Sequence, residues 1–136
     1  MSAAPAEAQT QVNSKLKLMI CDDFNIIRRK IERELKIERL EVIATASNGR
    51  IAVETFKKTP ADVVTMDITM PEMDGIECVE KLVAIKPDVL ILVISALSDK
   101  STAIEALKKG ANGFLCKPFT DRQLTEALEE LLRGAQ

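Results

Sequence analysis

The chain has no histidine, and with it go most of the familiar catalytic pairings. Without an imidazole neither a Ser–His nor a Cys–His nucleophile can be assembled. Cysteine is also scarce: Cys21, Cys78 and Cys116 show no CxxC spacing, and an odd count leaves one thiol unpaired in any disulfide scheme. They read as small apolar core residues of a reducing, cytoplasmic protein rather than as metal ligands. No apolar run approaches membrane-spanning length; the longest, Val89 to Ile94, is bracketed by Asp88 and Ser95. Neither sign of charge dominates, with 19 basic against 21 acidic residues and a net charge of −2. That balance gives no pull toward nucleic acid or an anionic membrane. Residues 1–14 are rich in Ala, Gln and Ser and lack the basic start and apolar middle of a signal peptide. A flexible tail is expected there, followed by one domain over residues 15–136.

What is present is an alternation. Short apolar runs at 16–21, 41–46, 63–67, 89–95 and 113–116 are mostly continuous, as in strands covered on both faces. Between them lie segments of helical period. Phe24, Ile27, Ile31 and Leu35 mark the first, and Ala52 and Phe56 the second, behind Asn48 as N-cap. Ile76, Val79, Leu82 and Val83 mark the third, and Ala103, Ala106 and Leu107 the fourth, which ends at Gly110. Leu124, Ala127, Leu128 and Leu131 mark the fifth, entered through the capping-box pattern Thr120-x-x-Gln123. Five β–α pairs with short connections predict an open, doubly wound parallel α/β sheet, too few for an eight-fold barrel.

Ligands of such sheets sit beyond the carboxyl ends of the strands. There the first run ends in Asp22-Asp23, the third in Asp67, the fourth in Ser95-Ala96 and the fifth in Cys116-Lys117-Pro118-Phe119. Three like charges converging on one edge repel one another. A hard divalent cation with oxygen ligands is the natural relief. Either Asp22 or Asp23 is also expected to cap the first helix. Met70-Pro71-Glu72-Met73-Asp74-Gly75 reads as a turn and helix entry, with Pro fixing one dihedral and Gly permitting another.

Asp22-Asp23-Phe24 with Arg28-Arg29, Met66-Asp67-Ile68-Thr69 leading into Met70 to Gly75, Ser95-Ala96, and Gly110-Ala111-Asn112-Gly113-Phe114 before Lys117-Pro118-Phe119 together resemble a response-regulator receiver domain. The resemblance is to the single-domain, CheY-like chemotaxis type. It implies a flavodoxin-like (βα)5 fold with strand order 2-1-3-4-5. It also implies that Asp67 is the phosphoacceptor for a histidine kinase. Asp22, Asp23, Asp67 and the main-chain carbonyl of Thr69 would hold Mg²⁺, with Mn²⁺ as the alternative ion. Ser95, Ala96 and Lys117 would surround the phosphoryl group, across a cis peptide between Lys117 and Pro118. Phe114 would be the aromatic switch, standing where chemotaxis regulators usually carry Tyr, and Thr69 and Leu97 would tune dephosphorylation. The expected protein is a cytoplasmic, monomeric, stand-alone switch that is not an enzyme in the ordinary sense. It would act on a flagellar motor switch, a phosphotransfer protein or a similar target through its fourth helix, fifth strand and fifth helix. It would bind neither nucleic acid nor membrane.

Other readings share parts of this pattern. A phosphorelay intermediate or phosphate sink would use the same residues. Mg²⁺-dependent phosphatases with an aspartate nucleophile resemble one another in a second Asp two residues later, and Thr69 occupies that position here. Flavin-binding modules cradle phosphate in an uncharged loop after the first strand, where Asp22-Asp23 would repel it. A pure scaffold leaves the acid cluster unexplained.

Overall fold

Hydrogen bonding in the computed structural model, which describes residues 15–35, 37–68, 73–96 and 100–134, joins the apolar runs into one parallel sheet. The strands are β1 (Leu16–Cys21), β2 (Leu40–Ala46), β3 (Val63–Asp67), β4 (Leu90–Ala96) and β5 (Gly113–Lys117), in the order β2-β1-β3-β4-β5. The helices are α1 (Asn25–Glu34), α2 (Gly49–Lys58), α3 (Gly75–Ile85), α4 (Lys100–Lys108) and α5 (Asp121–Gly134). This is the flavodoxin-like arrangement. The tail at residues 1–14 lies outside the described residues.

Side chains alternate across the sheet and supply two cores. Met19, Cys21, Val64, Met66, Ile91 and Val93 pack against Phe56, Leu82, Ala103 and Ala106 of α2, α3 and α4. Leu18, Ile20, Val63, Leu92 and Ile94 pack against Ile31 of α1 and Leu124 and Leu128 of α5. Each fully buried Leu, Ile or Phe in these layers contributes about 1.5–3 kcal/mol relative to exposure. Alternation puts Asp22, Thr65 and Asp67 on the α1–α5 face and Ser95 on the opposite one.

Caps and turns behave largely as the residues predict. Asn48 Oδ1 accepts from the Ile51 amide at 2.8 Å. Thr120 and Gln123 exchange hydrogen bonds of 2.9 and 3.1 Å. Gly110, after α4, has φ +123°, a conformation costly for any residue with a Cβ. Four expectations need correction. Neither Asp22 nor Asp23 caps α1: the N-cap is Phe24, with no side-chain cap bond. Asp22 Oδ1 instead accepts from the Phe24 amide at 2.9 Å, which folds the acid back over its own turn. Phe24 is 62% exposed, so the buried stripe of α1 begins only at Ile27. Gly75 keeps an ordinary helical backbone, and its lack of a Cβ serves a close contact rather than an unusual dihedral. Cys21 and Cys78 are buried, but Cys116 on edge strand β5 is only half-buried.

Candidate functional site

Strands β1 and β3 are direct neighbours, paired from Leu18–Val63 to Cys21–Met66, so their acidic ends arrive side by side. Carboxylate oxygens of Asp22, Asp23 and Asp67 all lie within 4.8 Å of one another. Asp22 and Asp67 are buried, at 1% and 3% exposure, while Asp23 faces the mouth. Strand β5 delivers the cation: Lys117 Nζ is 3.1 Å from Asp22 Oδ2 and 3.6 Å from Asp67 Oδ2. The Lys117–Pro118 peptide is cis.

The supporting contacts are local. Arg28 Nη1 donates to the Asp22 main-chain oxygen at 2.5 Å, tying α1 to the turn that carries both acids. The Phe24 ring flanks the cleft, 5.9 Å from Lys117 Nζ. In the sequence Arg28 stands out only as part of a motif; its position one turn into the helix after Asp22 is the signal for this contact.

Two buried oxygens at the site are short of donors. Asp22 Oδ2 receives no aligned hydrogen bond and depends on the Lys117 ammonium. Ser95 Oγ, on β4, is buried with no hydrogen-bond partner among the described residues. Such atoms are uncommon in folded proteins, and at a strand's carboxyl end an unused hydroxyl is available to a ligand oxygen. Ala96 follows it, exposed at the rim. Phe114 is 41% exposed. It pairs with Val93 while Ser95 pairs with Cys116, which puts hydroxyl and ring on the same face of neighbouring strands. Thr69 and Leu97 lie outside the described residues.

The model of the response regulator receiver domain matches residues 18–129 of this sequence. The chain belongs to that family. Among curated receivers, the chemotaxis protein CheY of Listeria monocytogenes is 41% identical over 115 residues, 85% of this chain and 97% of that protein. CheY of Thermotoga maritima is 40% identical, over 85% of this chain and 96% of its own length. Among solved structures, CheY of Borrelia burgdorferi in a complex with CheX, BeF₃ and Mg²⁺ superposes with a TM-score of 0.82 at 28% identity. That match covers 90% of this chain and 92% of the Borrelia chain. The receiver domain of AraT from Geobacillus stearothermophilus also gives 0.82, at 29% identity, over 88% and 94% of the two chains. A receiver is a signalling domain of two-component systems rather than a classical enzyme. Receiver domains use Mg²⁺, and three converging carboxylates are the oxygen-only donor set a hard cation requires. No helix among the described residues is long and apolar enough to cross a membrane.

Proposed function

We propose that this receiver is a phosphorylation switch whose phosphoacceptor is Asp67. The observation that carries the reading is the contact of one ammonium, Lys117, with two buried carboxylates from different strands, beside a third acid at the mouth. Asp22, Asp23 and Asp67, with the Thr69 carbonyl, would hold Mg²⁺. When bound, the ion neutralises charge on the incoming phosphoryl group and helps to align it.

The remaining steps belong to the chain itself. An oxygen of Asp67 attacks the phosphorus of a phosphohistidine on a histidine kinase. An O–P bond forms as the P–N bond breaks, and the imidazole leaves with a proton. Lys117 then exchanges part of its carboxylate contact for a phosphoryl oxygen, and Ser95 gives its unused hydroxyl to another. Ser95 moves toward the phosphate, and Phe114 turns inward over the space it leaves. The surface of α4, β5 and α5 changes shape, a two-state element biased by one covalent event. Thr69 and Leu97 would set the phosphate lifetime.

Similarity to CheY proteins across nearly their whole length favours a chemotaxis role, with a target such as a flagellar motor switch, in the cytoplasm and as a monomer. A phosphotransfer protein as target, making the chain a relay intermediate or a phosphate sink, would use the same chemistry. The test is direct: with Mg²⁺ and acetyl phosphate the wild type takes up one phosphoryl group, and Asp67→Asn takes up none. Equal labelling of both proteins would place the nucleophile elsewhere.

A further inference from the structure

The junction of β2 with α2 is in contact with the site's main chain. The Ala46 carbonyl accepts from the Asp22 amide at 3.0 Å. Three residues on, Gly49 packs so closely on Met73 that an added Cβ would stand 2.4 Å from the Met73 carbonyl oxygen and 2.6 Å from its Cβ. The first of these is about 1 Å inside ordinary van der Waals contact, and the atom struck is main chain, which does not yield as cheaply as the tip of a flexible side chain.

Met73 is tied in turn to the end of β3. Asp74 caps α3, its carboxylate accepting from the Glu77 amide at 2.9 Å, so residues 73–75 form a stiff corner. At that corner the Gly75 amide donates to the Ile68 carbonyl at 2.6 Å. A Cβ on Gly75 would stand 2.5 Å from Ile68 Cα and 2.6 Å from the Asp67 carbonyl oxygen. Backbone therefore rests on backbone at two successive points, from Gly49 to Met73 and from Gly75 to Asp67. Gly49 is held from its own side as well, by the Asn48 cap of α2 and by the Cys78 thiol, which donates to the Gly49 carbonyl at 3.8 Å.

We infer that Gly49 is a positioning residue for the Asp67 carboxylate, acting through Met73, Asp74 and Gly75; this rests on the reading of Asp67 as the phosphorylated residue. A methyl group at position 49 pushes the corner, and the corner carries Ile68 and Asp67 with it. Displacement of a reacting atom by a fraction of an ångström to 1 Å is enough to slow a reaction whose catalysis is mostly alignment.

Wild type, Gly49→Ala and Phe56→Leu separate this from a loss of packing, because Phe56→Leu loosens a fully buried residue of the same helix without adding an atom against the Met73 main chain. In the metal-free proteins the backbone amide resonances of Asp67, Ile68 and Gly75 are expected to shift in Gly49→Ala and to stay in place in Phe56→Leu. With Mg²⁺ and acetyl phosphate, labelling of Gly49→Ala is expected to be about tenfold slower than wild type, and that of Phe56→Leu unchanged despite its lower melting temperature. Should Gly49→Ala fail to fold, Met73→Gly removes the opposing Cβ and is expected to slow labelling in the same direction. Wild-type amides and rates in the folded Gly49→Ala protein, or an equal defect in Phe56→Leu, would overturn the inference alone. A wild type that takes no label would overturn the reading of Asp67 and this inference together.

Discussion

Lys117 Nζ stands 3.1 Å from Asp22 Oδ2, an oxygen that otherwise lacks an aligned donor among the described residues, in a side chain 1% exposed. The ammonium is therefore the resident counter-charge of the acid cluster. Lys117→Met should leave the buried Asp22 carboxylate without its cation and destabilise the metal-free protein by roughly 3 kcal/mol. Millimolar Mg²⁺ should stabilise both proteins, because it binds only the folded form, and should stabilise the variant more. Urea unfolding with and without Mg²⁺ measures both effects; equal midpoints throughout would remove the ion site.

Thr65 has a buried hydroxyl with no hydrogen-bond partner among the described residues, on the same strand face as Asp67 and two residues before it. Its near-isostere Val keeps the branched shape that suits a central strand. Thr65→Val should be neutral or stabilising by up to about 1 kcal/mol. A clear loss of stability in denaturant titration would mean that the hydroxyl has a partner in solution.

Burial pushes the Cys78 thiol up to about 12 and raises Cys21 well above its ordinary value, with nearby negative charges adding to the effect. The folded state then keeps protons that the unfolded state has released. Stability should fall as pH rises above about 9, continue to fall toward about 12, and lose at most about 1.4 kcal/mol per pH unit for each thiol. Cys78→Ala should flatten that slope. At pH 8 a disulfide reagent should modify Cys116 in the folded protein, and all three thiols only in denaturant.

Phe114 offers an optical readout, since the chain has no tryptophan. In Phe114→Trp the indole should begin partly exposed, as Phe114 does at 41%. Mg²⁺ with beryllofluoride should shift its emission to shorter wavelength as the ring turns inward. An unmoved spectrum with the ligand bound would rule out the aromatic half of the switch.

Much of the architecture was legible because continuous apolar runs signal strands buried on both faces: β1 and β3 begin and end where the runs do. The ends of β2, β4 and β5 differ by a residue, since ladder hydrogen bonds rather than hydropathy terminate a strand. The acids were legible for a related reason, each standing at the point where a buried run stops. The division between buried Asp22 and exposed Asp23 was not, because it depends on the Phe24 amide folding the first carboxylate back. Nor was the contact of Gly49 with Met73, which joins residues far apart in sequence through a missing side chain. A glycine at the start of a helix looks the same whether or not something presses on it.

The sheet is also a partition. Asp22, Asp67 and Lys117 project into the layer beneath α1 and α5, whereas Ser95 and Phe114 belong to the layer of α2, α3 and α4. Under the proposed switch, chemistry on one side becomes shape on the other, and the message rounds the rim of the wall at Ser95 instead of passing through it. Drift in the hydrophobic filling of one compartment can then retune either the reaction or the readout while leaving its counterpart alone.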